Sequence, residues 1–85
     1  MPIIMYSVYV GNYETPAKTK NDVVKMNELG LKAFTFSRGD HYALKVFAST
    51  NKEKALMTRN ALERKGFVTE FEELNVSQSL HLKDE

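Results

Sequence analysis

Tyr6-Ser7-Val8-Tyr9-Val10-Gly11-Asn12-Tyr13, near the start of the chain, is answered 36 positions later by Tyr42-Ala43-Leu44-Lys45-Val46. The same offset carries Met26 onto Leu62, Gly30 onto Gly66 and Leu31 onto Phe67. Apolar residues fall opposite apolar residues from 6–35 to 42–71 without a gap. Two copies of one strand–helix–strand unit explain this most economically, since self-similarity at a fixed period marks a repeated supersecondary unit.

Local chemistry supports the same division. Ile4 to Val10 alternates and is rich in β-branched and aromatic residues, the pattern of a strand, and Gly11-Asn12-Tyr13 breaks it. Thr15-Pro16 suits a helix start, with Thr as N-cap and Pro at the first helical position, where a missing N–H costs nothing. The helix is expected to run to Leu29, with Val23, Met26 and Leu29 inward, and to stop at Gly30, the residue best able to take the left-handed C′ conformation. Leu31 to Ser37 reads as a second strand. Arg38-Gly39-Asp40 is a polar turn, so His41 to Ala48 reads as its antiparallel hairpin partner. Thr50-Asn51-Lys52-Glu53 fits a capping box for a second helix that runs to Lys65 and ends at Gly66. Phe67 to Leu74 is the fourth strand. A domain over 1–74 then leaves 75–85 as a polar tail, in which Leu80 and Leu82 could form a short extra element.

The order β-α-β-β-α-β predicts an α+β, ferredoxin-like fold. Its four-stranded antiparallel sheet carries both helices on one face and leaves the other open to solvent or a partner.

Composition excludes several function classes. With 85 residues there is room for one core but not for a large buried catalytic cavity. Twelve basic against eleven acidic residues give a net charge of +1, so no bulk field favours a nucleic acid or an anionic membrane. Cysteine is absent, which excludes disulfides and thiolate chemistry, and no run is long enough to span a bilayer. Met1-Pro2-Ile3-Ile4-Met5 lacks a basic leader and a long apolar segment; the chain as it stands reads as cytoplasmic, or as a domain cut from an exported protein. His41 and His81 lack acid or thiol neighbours at ligand spacing, and Asp40 and His41, as neighbours on a strand, are expected to point apart, so no metal site is expected. No Ser/His/Asp set and no phosphate loop is identifiable. Neither a cofactor nor catalytic residues are expected. Glu70, Glu72 and Glu73 read as a solvated edge spread over both faces, and the lysines and arginines of both helices as outer faces.

Function is therefore expected on the open sheet face. Alternation turns Val8, Val10, Leu44, Val46, Phe67 and Phe71 towards the helices, and Ser7, Tyr9, Phe34, Phe36, His41, Ala43, Lys45, Phe47, Val68 and Glu70 outwards. Four rings on one exposed surface exceed what solubility favours. Such rings stack on sugars or bases, or pack against another protein. In the opposite phase for 31–37, Phe34 and Phe36 would be core. The repeat favours the outward phase, because Leu31 aligns with Phe67 and Thr35 with Phe71.

The halves Tyr6 to Tyr13 and Tyr42 to Val46, each followed by a helix ending at Gly30-Leu31 or Gly66-Phe67, resemble the sporulation-related repeat (SPOR) domain over roughly Tyr6 to Leu74. This resemblance implies a non-enzymatic module that binds peptidoglycan, preferring glycan strands stripped of stem peptides. Tyr9 stands where the family usually has a groove-facing Gln. Ala43 and Lys45 replace its basic third-strand residues, and Phe47-Ala48-Ser49 replaces Gly-Pro-Phe. The resemblance thus implies Tyr9, Phe34 and Phe47 for ring stacking, with Phe36 beside them and Lys45 and His41 as hydrogen-bond partners. Val8 to Tyr13 also looks like the first-strand motif of an RNA recognition motif, and Tyr42 to Phe47 partly matches that family's third-strand motif, an alternative in which the exposed rings would stack on RNA bases. A third reading is a protein-interaction module, homodimerising or capping a partner through the sheet face or an unpaired edge, of the stand-alone kind that viral and mobile-element genomes often carry.

Overall fold

β1 (Ile4–Tyr13) runs through the middle of the sheet and decides where everything else sits. The computed structural model of the chain describes residues 2–76. After β1, a 3₁₀ turn (Pro16–Thr19) leads into α1 (Lys20–Glu28), followed by β2 (Phe34–Ser37), β3 (Tyr42–Ser49), α2 (Lys52–Arg64) and β4 (Thr69–Asn75). The strands form one antiparallel sheet in the order β2-β3-β1-β4. This is the expected β-α-β-β-α-β architecture. The expected tail lies almost wholly outside the described residues; within them, Asn75 completes β4 and the Val76 N–H donates to the Ile3 carbonyl at 2.9 Å.

One face of the sheet makes the core. Val8 and Val10 from β1 and Leu44 and Val46 from β3 pack against Met26 of α1 and Ala55 and Leu62 of α2, all of them buried. Complete burial of a side chain such as Met26 or Leu44 stabilises the fold by about 1.5–3 kcal/mol. Phe67 and Phe71 join from the β4 side, where Phe71 stacks on Tyr6 with ring centroids 6.0 Å apart. Of the expected inward stripe on α1, Met26 is buried and Val23 packs against the core, but Leu29 is exposed. Leu29 sits past the last helical residue, where the chain already turns away.

Both helices end in the same way for the same reason. The Gly30 N–H donates to the Asn27 carbonyl at 3.0 Å and the Leu31 N–H to Met26 at 2.9 Å; Gly66 donates to Glu63 at 3.0 Å and Phe67 to Leu62 at 3.1 Å. These are paired Schellman bonds, and both glycines hold the positive φ that they require. The starts differ from expectation. Thr15 caps through its extended backbone alone, and a 3₁₀ turn intervenes before α1. On α2 the cap is Asn51, not Thr50: its Oδ1 accepts from the Lys54 N–H at 3.1 Å, one residue later than the capping-box reading.

Two irregularities reset the register. Val8 faces Phe47 while Tyr9 faces Lys45, so β3 carries one extra residue there. Val10 faces Leu44 while Tyr13 faces Tyr42, so β1 carries an extra residue at Gly11-Asn12. Such bulges bend a strand and re-aim its side chains. β2 is shorter than expected: it starts at Phe34, and the Leu31 N–H, expected in the strand, is committed to the α1 C-cap. Leu31 and Ala33 pack against the core and Thr35 lies 3.2 Å from the Thr19 hydroxyl, which leaves Phe34 and Phe36 on the opposite, open side.

Candidate functional site

The open face is organised by one row of residues across all four strands. Phe34 of β2 pairs with Lys45 of β3, Lys45 with Tyr9 of β1, and Tyr9 with Glu70 of β4. Directly paired residues share a face, so a ring, an ammonium, a second ring and a carboxylate lie in line. Phe36 flanks the row, its ring edge-on to Tyr9 at 6.2 Å between centroids.

Tyr9 is only 3% exposed, although it lies on the side away from the helices. The cover is Arg38. This residue leaves the hairpin turn between β2 and β3, where its N–H donates to the His41 carbonyl at 2.8 Å and Gly39, at φ 84°, allows the tight reversal. Its guanidinium lies 4.1 Å above the Tyr9 ring centre, within cation–π range. Nη1 donates to Glu72 at 3.1 Å, and Nη2 lies 3.5 Å from Glu70. The Tyr9 hydroxyl donates to the other Glu72 oxygen at 3.1 Å. Burial, and then the Glu72 bond, push the Tyr9 phenol above its ordinary value, with Arg38 pulling the other way. Arg38 in turn holds its proton more firmly because of Glu72.

His41 closes the network. Its Nδ1 lies 2.8 Å from Asp40 and its Nε2 3.4 Å from Glu70. The contact with Asp40 raises the His41 pKa above the ordinary imidazole value, and Glu70 adds to the effect; the same contact lowers Asp40. The two side chains were expected to point apart. They meet because Asp40 belongs to the turn and β3 begins only at Tyr42, so strand alternation does not apply between them. Among the described residues no cluster of three or more such side chains is arranged to hold a metal ion.

Beside this covered half lies an exposed one. Phe34 is 59% and Phe36 41% exposed. Together with Lys32, Lys45 and Phe47 they line an open cleft of about 650 Å³. The Lys45 ammonium lies 5.3 Å from the centre of the Phe36 ring and 6.0 Å from that of Tyr9, and no carboxylate among the described residues pairs with it. Phe47 departs from the alternating pattern. The bulge sets it opposite Val8, and it packs partly against the core while still bordering the cleft.

Of the six residues read from the sequence, Phe34, Phe36, Lys45 and Phe47 thus converge on one cleft. Tyr9 sits behind a guanidinium, and His41 stands in the acidic network. Arg38, Glu70 and Glu72 escaped the reading as partners. The available signal was the i, i+2 spacing of Glu70 and Glu72, which puts both on one face and leaves two carboxylates in need of a cation. Glu73, one step out of phase, points to the helix side and lies 3.5 Å from Lys52.

The element order, the antiparallel sheet and the two helices on one face together make a SPOR-like α+β domain. Among solved structures, the chain is similar to the solution structure of the peptidoglycan-binding domain of the B. subtilis cell wall lytic enzyme CwlC, itself a SPOR domain. The two agree at a TM-score of 0.70 and 15% identity, over 85% of this chain and 91% of that one. At that identity the likeness is one of fold. No protein-family model matches the chain, and no curated protein matches it in sequence.

Proposed function

We propose that this domain is a binding module for the glycan strands of peptidoglycan and engages them through the Phe34–Phe36–Lys45 side of its sheet. The observation that carries the reading is the likeness in fold, over most of both chains, to a domain that binds peptidoglycan. The cleft supplies suitable chemistry. The exposed faces of Phe34 and Phe36 can stack against the C–H faces of pyranose rings, while Lys45 and Lys32 donate to hydroxyl, acetamide or carboxylate oxygens. Phe47 is a wall of this cleft, and its partial packing against the core holds it still.

A nucleic-acid reading is less well supported. The position that would stack a base, Tyr9, lies under Arg38, and Glu70 and Glu72 on the same face would repel a phosphate backbone.

The test is co-sedimentation with purified sacculi, before and after enzymatic removal of stem peptides. The wild-type chain is expected in the pellet, more so with denuded glycan. Phe34→Ala removes the more exposed ring and should change stability by no more than about 0.5 kcal/mol, whereas Phe36→Ala also loses the edge-on contact with Tyr9 and should cost about 0.5–1.5 kcal/mol. Loss of a stacking ring should nonetheless weaken sedimentation about tenfold. Absence of wild-type binding to either preparation would overturn the reading, as would a doubly substituted protein that sediments like wild type.

A further inference from the structure

Tyr9 lies on β1, one of the two interior strands, yet a ligand arriving at the surface cannot reach its ring. Phe36 and Lys45 stand at 6.2 and 6.0 Å from its ring centre, but the group lying directly over it, at 4.1 Å, is the guanidinium of one long side chain rooted in a turn. Arg38 is itself a quarter exposed, and its two ion pairs sit at the solvent boundary, where such pairs are individually weak. Its Nε is buried and has no hydrogen-bond partner among the described residues. A buried donor left unpaired works against the closed arrangement, because water would satisfy it once the side chain swung out. No backbone movement is needed, only rotation about the Arg38 side-chain bonds.

We propose that Arg38 is a movable cover over Tyr9 that limits how much of the sheet face a ligand can use. Closed, the guanidinium lies on the ring and is held by Glu70 and Glu72. Open, it leaves the Tyr9 face bare and continuous with Phe36, extending the exposed cleft to β1. Glu72 is the main latch, because it holds Arg38 through one oxygen and the Tyr9 hydroxyl through the other. Glu70 is the weaker one, since it lies 3.5 Å from Arg38 Nη2 against 3.1 Å between Glu72 and Nη1. A protein whose binding-competent form is only partly populated binds with its affinity reduced by that fraction. Removing the cover or its latch therefore strengthens binding. That consequence rests on the glycan-binding reading above, whereas the cover itself does not.

The test uses the full 85-residue chain and has one readout without ligand and one with it. In the wild type, the Arg38 Cδ protons should show an upfield NMR shift from the Tyr9 ring current. Glu72→Gln should move that signal towards the value of free arginine, and added salt should do the same. In co-sedimentation with denuded sacculi, Arg38→Ala and Glu72→Gln should both bind more tightly than wild type, by roughly three- to tenfold. Glu72→Gln keeps the shape of the side chain and so guards against misfolding of Arg38→Ala. An Arg38 signal without a ring-current shift, or one that Glu72→Gln leaves in place, overturns the proposal. So does weaker binding by either folded variant, since Arg38 would then be a ligand contact and not a cover. If the NMR behaves as expected and no form of the protein sediments with sacculi, the glycan reading fails while the cover stands.

Discussion

Gly11→Ala should be among the most damaging single-methyl changes in this domain, and its cost can be assembled from the structure. Gly11 holds φ 82° at the β1 bulge, and its N–H donates to the Val68 carbonyl at 2.8 Å, so the backbone there is tied to β4. An L-residue in that left-handed conformation costs roughly 1–2 kcal/mol. The new Cβ would also run into the outer edge of the Tyr13 ring. Tyr13 packs partly against the core and donates its hydroxyl proton to Asp22 at 2.5 Å. Burial and that bond raise the Tyr13 phenol pKa. Displacing the ring forfeits a hydrogen bond worth about 1 kcal/mol, together with some apolar contact. The total is about 2–4 kcal/mol, a large share of the 5–15 kcal/mol typical of a folded domain. Urea denaturation followed by circular dichroism would measure it, with Tyr13→Ala and the double variant completing a cycle. With the ring gone only the backbone cost remains, so Gly11→Ala in the Tyr13→Ala background should cost no more than about 2 kcal/mol. A single variant within about 0.5 kcal/mol of wild type would refute the strain, and strictly additive costs would refute the ring clash.

Other expectations are simpler. Met26→Ala empties a fully buried site between α1 and the sheet and should cost about 2–5 kcal/mol, whereas Val24→Ala on the exposed side should fall within about 0.5 kcal/mol of wild type; equal midpoints for the two would mean that α1 is turned differently. Asn51→Ala should cost α2 about 1 kcal/mol and Thr50→Ala much less, a contrast that thermal melts would reverse if Thr50 were the cap. His41 binds its proton more tightly when folded, chiefly through Asp40, so the protonated form stabilises the fold. That contribution is complete below the ordinary histidine value of about 6.5 and is lost as pH rises through the higher folded value. Asp40, held low by the same contact, contributes above its ordinary value of about 3.9 and loses that contribution as pH falls through its lower folded value. His41→Gln should therefore flatten the fall in urea midpoint as pH rises beyond the ordinary histidine value, and an unchanged profile would show that the contacts with Asp40 and Glu70 are not maintained in solution.

Much of this molecule was legible in its one-dimensional pattern because the deciding physics is local. Gly30 and Gly66 announce helix ends because positive φ is a property of the residue itself, and both sit where paired bonds to the preceding turn need it. Alternation in Val8, Val10, Leu44 and Val46 marks a core-facing surface because successive strand residues must point to opposite sides. The exposure of Phe34 and Phe36 followed from the same rule once Thr35 was given the inward phase. The position of the α2 cap was missed by one residue, since Thr50 and Asn51 are both good caps and only the backbone path chooses between them.

The sequence by itself determined the β-α-β-β-α-β order, the helix stops, the core-facing side of β1 and β3 at Val8, Val10, Leu44 and Val46, and an aromatic face opposite it, because each depends on periodicity or on the conformational freedom of single residues. Tertiary structure alone decided what that face offers. The bulge that turns Phe47 partly towards the core exists only in the pairing of β1 with β3. The cover on Tyr9 needs Arg38 to reach Glu72, 34 residues further along the chain, across a sheet whose strand order is not their order in sequence. Contacts of that kind leave no periodic trace, since nothing in the neighbourhood of either residue depends on the other until the sheet has formed.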